Sequence, residues 1–591
     1  MARRFLTGVS GLNAHTQSNA AGLHPVASAD APWRGRMPGQ AALGPQPQAA
    51  APPAGTRRRG VGRARLALAV VTLGLSGSLI VAMAQGLRPL AGADWAVLGL
   101  FALSVLWTGF AAATALLGLA QPSRRDAQGP QPGWSPRGRT AIAIMTCGED
   151  PLPILRTVRA LHRDLARCGL APAETGAVGI FVLSDTRGSA AVSEARALGT
   201  LADLPGVWWR QRPENIGRKP GNLADWIAGW GGAWDHMIVL DADSRIAAER
   251  VRALIHRLEA APDTALVQSG MRLLPARSRF GALQRLSVRL GGPAYGSGLA
   301  AWTGREGNYW GHNAALRVRP FGDHAARLPV LPGAAPMGGA VLSHDFIEAA
   351  FLRRAGWGIE IDTESRGSFE DGPQRLDEFH RRDRRWCQGN LQHLRLLAAP
   401  GLHPISRLHL LSGIFGYLAA PVWLALVLTV TLARPEIGTL VPLVGGLALL
   451  CVPKLAGAVR WAQRARSPAR RRVVVRAAVT ELALSTLLAP VMLLRQSLAV
   501  AAVALGRDSG WTPAGLVSAS RARPGVPEVV AGLALAALVL PVAGPVGIAL
   551  LTPVLGPLLA APWLVRWLEA PIPRRGEAAT VLPARATPEA A

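Results

Sequence analysis

Long apolar runs lie on both sides of a soluble central stretch in this chain of 591 residues. Residues 66–84 and 95–120 contain no acidic or basic side chain, and a helix needs about 20 apolar residues to cross the hydrocarbon core of a bilayer. Further apolar runs follow the soluble stretch at 408–432, 437–452, 529–549 and 550–565. Hydropathy therefore predicts an integral membrane protein whose first two spans form a hairpin.

The formal net charge of +27 comes almost entirely from arginine. The arginines concentrate in the N-terminal tail, in the central stretch and in residues 460–476. No nucleic-acid-binding motif accompanies them, so the positive-inside rule and anionic lipid headgroups explain them better than nucleic acid does. We therefore predict that the tail and the central domain face the cytoplasm, with membrane lipid as a partner.

Composition divides the chain into six parts. They are a disordered basic tail at 1–60, two transmembrane helices at 61–120, a linker at 121–139, a soluble domain at 140–403, a C-terminal membrane region at 404–570 and a disordered tail at 571–591. Within the membrane region, residues 473–507 are apolar but carry Arg476, Glu481 and Arg495. These charges favour a helix in the membrane interface, and the composition leaves open whether four or five C-terminal spans exist.

The soluble domain alternates strand and helix signals. Strands are predicted at 141–147, 178–186 and 236–243, and helices at 151–167 and 222–229. Such alternation indicates a parallel sheet with crossover helices. Acidic side chains follow each predicted strand, first Glu149 with Asp150, then Asp185, then Asp241 with Asp243. Because ligands bind outside the carboxyl ends of strands in such sheets, these carboxylates are candidate ligand contacts.

The segment WDHMIVLDADSRI, residues 234–246, carries Asp241 and Asp243 at the end of the third strand. Two hard oxygen donors at i and i+2 can hold a divalent cation against a nucleotide diphosphate. An Asp-Ala-Asp triplet also occurs in strand-end turns and helix caps that bind nothing. The weight of this motif therefore depends on its neighbours.

Lys219 lies in RPENIGRKPGNLADW, residues 212–226, and Lys454 is the only other lysine in the chain. A compact ammonium suits a diphosphate, whereas arginine is used elsewhere. Three later motifs add candidates, although each has a plain structural alternative. WGHNAALR (310–317) indicates a tight turn, Asp345 is either a functional carboxylate or a helix cap, and Trp386 is either a ligand contact or a core aromatic.

In this order the motifs resemble those of family 2 processive glycosyltransferases, and most closely the glucans biosynthesis glucosyltransferase H family, which makes the backbone of osmoregulated periplasmic glucans. The resemblance is strong over residues 140–404 and loose over the membrane region. The segments that carry it are KPGNLAD (219–225), VLDADS (239–244), GHNAALR (311–317), SHDFIEAAFLRRAGW (343–357) and RRWCQGNLQH (384–393).

The resemblance implies an α/β fold with a cytoplasmic glycosyltransferase domain of GT-A type inserted between transmembrane helices. It implies UDP-glucose as donor, a divalent cation (Mg or Mn) as cofactor, and a growing β-1,2-linked glucan as product, delivered from the bacterial inner membrane toward the periplasm. An acyl carrier protein and a periplasmic glucan-processing protein are further candidate partners, and nucleic acid is not.

The resemblance also implies roles for individual side chains. Asp345 would be the catalytic base. Glu149, Asp185, Lys219, Asn222 and Asp241 would bind the nucleotide sugar, Asp241 and Asp243 would bind the metal, and Arg385, Trp386, His312 and Asn313 would contact the acceptor.

Three positions depart from the wider pattern. Arg382 stands where the superfamily has Gln in Gln-x-x-Arg-Trp, His344 stands where Glu is usual before the base, and Gly148 stands where Asn often precedes the Glu. Two alternative functions stay open at this point. One is a cellulose- or hyaluronan-synthase-like β-glycan synthase, and the other is a catalytically silent membrane scaffold or sugar-nucleotide sensor.

Overall fold

The computed structural model describes most of the membrane region and the whole central domain. The described residues are 34–44, 52–53, 60–88, 90, 92–122, 129–131, 133–433, 437–510 and 524–572. The predicted C-terminal tail at 571–591 lies outside this range except for its first two residues.

Part of the predicted N-terminal disordered tail is folded. Residues Arg34–Arg36 form strand β1, which pairs with an edge strand of the central sheet, and the following chain donates and accepts backbone hydrogen bonds at Ala41 and Leu43. The prediction of disorder is therefore wrong for residues 34–44. The rest of the tail, apart from residues 52–53 and 60, lies outside the described residues.

The central domain is built on a mixed sheet of eight strands. Their bounds are β1 Arg34–Arg36, β2 Thr140–Thr146, β3 Val178–Ser184, β4 Val207–Gln211, β5 His236–Asp241, β7 Thr264–Ser269, β9 Ala314–Arg317 and β12 Gly358–Asp362. Strands β2 to β5 are parallel, whereas β9 runs antiparallel to both of its neighbours, β5 and β7. The order is β1-β4-β3-β2-β5-β9-β7-β12.

Short strands form two further sheets at the carboxyl edge of the large one. Strands β6 (Ser244–Ile246), β8 (Arg272–Leu273) and β13 (Ser368–Glu370) make one sheet, and β10 (Val330–Leu331) with β11 (Gly339–Ala340) makes the other. Because β6 begins three residues after β5 ends, the first of these sheets holds the turn that contains Asp243.

Helices cover both faces of the large sheet. In chain order within the domain they are α3 Pro151–Arg167, α4 Gly188–Gly199, α5 Arg218–Trp230, α6 Ala248–Glu259, α7 Arg279–Thr303, α8 Val318–His324, α9 His344–Arg354 and α10 Leu376–Gln392. Strands β2 and β3 are buried at every position, as expected for parallel strands covered on two sides. The predicted strands and the helix at 151–167 are thus found at nearly the predicted bounds.

Local sequence sets where these helices begin. Helix α3 starts with Pro151 at its first position, and the Asp150 carboxylate accepts a hydrogen bond from the Leu152 amide at 3.0 Å. This is a side-chain cap that satisfies an otherwise unpaired amide. Asp150 is therefore a helix cap and not a ligand contact in the described structure.

Helix α7 ties the central domain to the membrane helices. It packs against α2 (Asp94–Ala120), the second of the two N-terminal apolar helices, and against α12 (Ile437–Arg464). The crossings are so close that a methyl group at Gly298, Gly118 or Gly457 would overlap a backbone atom of the partner helix. Glycine is required at these three positions because the backbones themselves are in contact.

Six helices are long and apolar enough to cross a membrane within the described residues, or up to seven if a bent pair near the C-terminal end counts as one span. The membrane helices are α1 Val61–Gly86, α2 Asp94–Ala120, α11 Pro404–Ala433, α12 Ile437–Arg464, α13 Pro468–Ala504 and α14 Val526–Leu559, followed by the short α15 Ala561–Glu569. Helix α14 is broken at Gly544. Its two halves pack against each other, since a methyl group built on Gly532 of the first half would lie 3.2 Å from Leu558 of the second.

Helix α13 covers the segment for which an interfacial helix is predicted. Its Glu481 accepts a hydrogen bond from Ser287 of α7, Val491 packs in a cluster with Phe280 of α7, and Val503 packs in a cluster with Cys387 of α10. The separation of 22 residues between Glu481 and Val503 corresponds to about 33 Å of helix, and a bilayer core is about 30 Å thick. The same helix is one of the six that are long and apolar enough to cross a membrane, so its interfacial position stays a prediction.

A pair of glycine substitutions on α7 tests the close crossing. Gly298→Ala places a methyl group against the Thr114 carbonyl oxygen, whereas nothing lies within 4 Å of the same atom at Gly296. We expect Gly298→Ala to destabilise the protein by about 1–3 kcal/mol through overpacking. Gly296→Ala should stabilise it by about 0.5–1 kcal/mol, because alanine is the better helix former. Thermal unfolding in detergent measures both, and equal shifts of the same sign would contradict the close crossing.

Candidate functional site

The acidic residues that follow the predicted strands meet at one edge of the sheet. Strands β3, β2 and β5 are neighbours and parallel, so Asp185, Glu149 and Asp241 all lie at their carboxyl ends. The predicted clustering is confirmed. Four groups of side chains then complete the site, from helix α5, the turn before β9, the start of α9 and helix α10.

Asp185 is held by an arginine that the sequence did not single out. Arg212 donates to both Asp185 oxygens at 2.8 and 3.0 Å and lies 3.3 Å from Asp225, with all three side chains buried. Burial raises the pKa of Asp185, and the Arg212 contact opposes that rise. Both oxygens already have a strong partner, so a contact between Asp185 and a nucleotide stays a prediction.

Asn222 lies inside the domain rather than at its surface. Its amide nitrogen donates to the Leu183 carbonyl at 3.2 Å, and its amide oxygen accepts from Arg210 at 2.6 Å. The residue has no exposed surface. The structure therefore assigns Asn222 the task of joining α5 to β3 and β4, and nucleotide binding by Asn222 stays a prediction.

Glu149 occupies the turn after β2. One of its oxygens accepts a hydrogen bond from the Cys147 amide at 2.5 Å. Burial raises the pKa of this carboxyl above its ordinary value, and the Cys147 amide opposes the rise. The turn needs Gly148, which has a φ of +85° and donates its amide to Thr186 at 2.7 Å. Glycine is therefore favoured at position 148 because it adopts this positive φ without strain.

Lys219 reaches across the site from the first turn of α5. Its ammonium donates to an Asp241 oxygen and to the Gly311 carbonyl oxygen, the latter at 2.7 Å. Burial raises the pKa of Asp241, but Lys219, His312 and His344 together outweigh burial and leave that pKa below its ordinary value. The amino end of α5 is the positive end of its helix dipole, which also favours an anion. The predicted diphosphate contact is thus placed beside the predicted metal ligand.

Asp243 lies in the turn between β5 and β6 and faces Arg382 of α10, whose guanidinium is 3.6 Å away. Burial and then the like charge of Asp241 raise the pKa of Asp243 to about 7. The neighbouring carboxylates of Asp241 and Asp243 repel each other when both are ionised. A divalent cation would relieve that repulsion, as would the Arg382 charge.

The donor set fits a hard divalent cation. Asp241 and Asp243 offer carboxylate oxygens, which Mg²⁺ and Mn²⁺ prefer. Within the described part of the chain, no group of three histidine, cysteine, aspartate or glutamate side chains is arranged to hold a metal. Two protein ligands with remaining positions filled by diphosphate oxygens and water is the arrangement usual for Mg²⁺ at nucleotide sites.

His312 and Asn313 form the turn before β9, next to the two aspartates. Asn313 has a φ of +50° and no exposed surface, and its amide nitrogen donates to Ser368 at 2.8 Å. His312 lies 3.4 Å from the Ser244 hydroxyl and 3.9 Å from a Glu370 oxygen. Asn313 thus shapes the turn from inside. The predicted acceptor contact of both residues stays a prediction.

Asp345 lies in the first turn of α9, two residues beyond the position that caps the helix. Ser343 holds the capping position, without a side-chain hydrogen bond to the helix, so the alternative of Asp345 as a helix cap is wrong. Burial raises the pKa of Asp345, His344 and Lys219 oppose the rise, and Glu348 adds to it. A carboxylate with a raised pKa is a stronger proton acceptor.

Gly311 lies between the side chains of Asp345 and Lys219. Its φ is +84°, and a methyl group built on it would lie 3.6 Å from Lys219 Nζ and 3.7 Å from Asp345 Oδ2. A side chain at this position would fill the space between the two charged groups. The structure thus brings Asp241, Lys219 and Asp345 to one cleft.

His344 makes an ion pair with Glu348. Its Nδ1 lies 2.9 Å from the Glu348 carboxylate. Burial lowers the pKa of His344, but the Glu348 contact outweighs burial, so the pKa lies above its ordinary value. Glu348 was missed in the sequence because an acidic residue four positions along a helix is usually an exposed partner, whereas here it is buried.

Helix α10 brings Arg385 and Trp386 to the cleft. Burial, Arg382 and Arg218 lower the pKa of Arg385, and Asp241 opposes them. Trp386 keeps 43% of its surface exposed, so it is not the core aromatic of the structural alternative. Arg385 thus lies within reach of the Asp241 charge, and the acceptor contact of Arg385 and Trp386 stays a prediction.

Comparisons with known proteins identify similar glycosyltransferases. Residues 236–450 match the family described as Glycosyl transferase family group 2. The protein called "Glucans biosynthesis glucosyltransferase H" in Vibrio cholerae serotype O1 is 38% identical to this chain over 467 residues, which cover 73% of this chain and 63% of that protein. The protein of the same name in Bradyrhizobium diazoefficiens is 38% identical over 485 residues, which cover 76% of this chain and 64% of that protein. The match therefore spans less than two thirds of the relatives' length.

Among solved structures, a mannosyltransferase from Pyrobaculum calidifontis in complex with GDP-Man and Mn²⁺ is similar at 15% identity. The match covers 66% of this chain and 99% of the mannosyltransferase chain, with a TM-score of 0.41.

Replacing Asp243 tests its raised pKa. The pKa of Asp243 is about 7 in the folded protein, whereas its ordinary value is 3.8. Ionisation of Asp243 therefore destabilises the folded protein, and this loss of stability develops as pH rises from about 4 to 7. Asp243→Asn cannot ionise. We therefore expect the thermal midpoint of Asp243→Asn minus that of the wild type, measured without cation or nucleotide, to grow across this pH window. A difference independent of pH would contradict the raised pKa.

Proposed function

We propose that this chain is a membrane-embedded inverting glucosyltransferase. It belongs to the glucans biosynthesis glucosyltransferase H family within glycosyltransferase family group 2. It uses UDP-glucose to build the β-1,2-linked backbone of periplasmic glucans. One observation carries the proposal: a cation (Lys219), a metal-type carboxylate (Asp241) and a carboxylate of raised pKa (Asp345) meet at the Gly311 turn. The second metal-type carboxylate, Asp243, lies two residues after Asp241.

The fold agrees with this family. The predicted fold class, an α/β domain of GT-A type between transmembrane helices, is confirmed by the family match, the mixed sheet and the six apolar helices. The cytoplasmic side of the domain and the inner membrane as location belong to the proposal. They are supported by the arginine-rich segments beside the spans.

The donor would bind with its diphosphate between Lys219 and the two aspartates. Lys219 is held against Asp241 and the Gly311 carbonyl, so its ammonium is already in place. A bound divalent cation would neutralise charge that develops on the departing UDP. Lys219 and the amino end of α5 contribute to the same stabilisation. The uridine would extend toward Glu149 and Asp185.

The acceptor hydroxyl would be activated by Asp345. Transfer from an α-linked sugar nucleotide to a β-linked product inverts the anomeric carbon, and a single displacement with one general base achieves this. A positioned base contributes typically about 10²–10⁴-fold. The raised pKa of Asp345 suits it to take the proton of the attacking hydroxyl.

The growing glucan would rest on helix α10. Trp386 offers an exposed apolar face on which a glucose ring can stack, and Arg385 lies beside it on the site face of the helix. The chain would then pass between the membrane helices. An acyl carrier protein and a periplasmic processing protein stay predicted partners.

The proposal is tested by incubating membranes that contain the full chain with labelled UDP-glucose and Mg²⁺ or Mn²⁺. The expected result is UDP release with formation of a polymer whose linkage analysis gives β-1,2 bonds. A β-1,4-linked polymer would favour the cellulose-synthase-like alternative. Binding of UDP-glucose without UDP release or polymer would favour the sensor.

Asp345→Asn separates catalysis from folding. Asn keeps the shape of Asp but cannot accept a proton, and the capping position belongs to Ser343. We expect a folded protein with near-normal UDP-glucose affinity whose transfer rate falls by about two orders of magnitude or more. Thermal stability, calorimetric binding of UDP-glucose and initial rates together check this. Glucan synthesis near the wild-type rate would move the base elsewhere, first to the His344 and Glu348 pair.

A further inference from the structure

Helix α10 has two faces with different partners. One face carries Arg382, which contacts Asp243 at 3.6 Å, and the exposed Trp386. Asp377 lies five residues before Arg382 and nine before Trp386. In a helix of 3.6 residues per turn, these spacings place Asp377 about 140° around the axis from Arg382 and about 180° from Trp386, on the opposite face. The helix that carries the acceptor contacts is therefore held from behind by groups outside the cleft.

The group behind the start of α10 is Arg495 of α13. Its Nη1 contacts Asp377 Oδ1 at 3.3 Å, and its Nε donates to Glu528 Oε1 at 2.5 Å. Arg495 and Glu528 are buried, with side chains 9% and 2% exposed, whereas Asp377 is 27% exposed. One guanidinium thus joins α10, α13 and the start of α14.

The arginine is well suited to this bridge. Its planar fork presents several donors in fixed directions, so it can bind two carboxylates from different helices at once, which a lysine ammonium does less specifically. Glu528 Oε2 is buried and accepts no hydrogen bond within the described residues. Arg495 is therefore the cation that compensates a buried carboxylate, and the pair is expected to be rigid.

Further contacts fix the middle of α10 to the same membrane helices. The Tyr417 hydroxyl of α11 donates to Asp383 at 3.2 Å, and Cys387 packs with Ile414 of α11 and Val503 of α13. The loop after α13 also contacts α10, since Gln388 donates to Asp508 at 2.7 Å. The back of α10 is thus attached to the membrane region.

We propose that Arg495 is a positioning residue for glucan extension. It acts through Asp377 and sets where α10 holds Trp386 and Arg385 relative to Asp345. This inference rests on the proposed function, since it assigns α10 to the acceptor. It concerns alignment of the acceptor and not binding of the donor. A displacement of about 1 Å of a reacting group can cost about 10²-fold in rate, so a modest shift of α10 is enough.

The test uses the full chain in lipid nanodiscs and replaces Asp377, because replacing Arg495 would leave Glu528 buried without its cation. Asp377→Asn removes the charge on α10 and keeps the Arg495–Glu528 pair. We expect polymer extension to fall by about tenfold or more with an increased acceptor KM, while UDP-glucose affinity and the thermal midpoint change little. Asp377→Glu should restore most of the extension.

The matched control is Asp323→Asn on α8. Asp323 is also a partly buried aspartate in an ion pair within the domain, with Arg319 at 3.2 Å, but it lies on a helix that does not contact α10 in the cleft. This variant should extend glucan as the wild type does. Equal loss in both variants would show a general effect of losing an ion pair and would overturn the proposal.

Hydrogen exchange separates this inference from the proposed function. Amides of residues 376–392 should exchange faster in Asp377→Asn than in the wild type or in Asp323→Asn, whatever the donor sugar is. Unchanged exchange with unchanged extension overturns the positioning role of Arg495. If the wild type releases no UDP from UDP-glucose but residues 376–392 still exchange faster in Asp377→Asn, the contact between Arg495 and Asp377 positions α10. In that case only the proposed function is rejected.

Discussion

The repulsion between Asp241 and Asp243 is the constraint around which the site is arranged. Both carboxylates lie at the end of one strand, and burial with mutual repulsion raises the pKa of Asp243 to about 7. Three other elements bring compensating charge to this point, Lys219 from α5, His312 from the turn before β9 and Arg382 from α10. A binding site for a diphosphate and a cation needs such a concentration of charged groups, and a domain selected only for stability would avoid it.

The membrane region contributes more than an anchor. Glycines on α2, α7 and α12 let an element of the soluble domain pack directly against membrane helices. Helix α13 then follows the domain from Glu481 to Val503, and Arg495 joins it to α10 and α14. Because α10 is held from this side, the part of the site that would receive the glucan is aligned by the same helices between which the glucan would leave.

Several features could be predicted from the sequence because they depend on short-range patterns. Continuous apolar runs gave the parallel strands, and their acidic ends had to meet at one sheet edge. Lys219 could be singled out because the chain has only two lysines. By contrast, Arg212 looked like one of many arginines, and the role of Arg382 depends on a contact between residues 139 positions apart. The strand at Arg34–Arg36 was missed because three residues of Arg and Gly carry no strand signal.

The sequence by itself determined the fold class, the membrane character and the chemical types of the site residues, since these follow from hydrophobic period, charge and local motifs. Only the tertiary structure decided which of these residues can act. It buried Asn222 and Asn313 among internal partners, moved Asp345 off the capping position, and placed Arg495 behind α10. The physical reason is that burial, pairing and the direction of a side chain depend on contacts between distant segments, which no local pattern encodes.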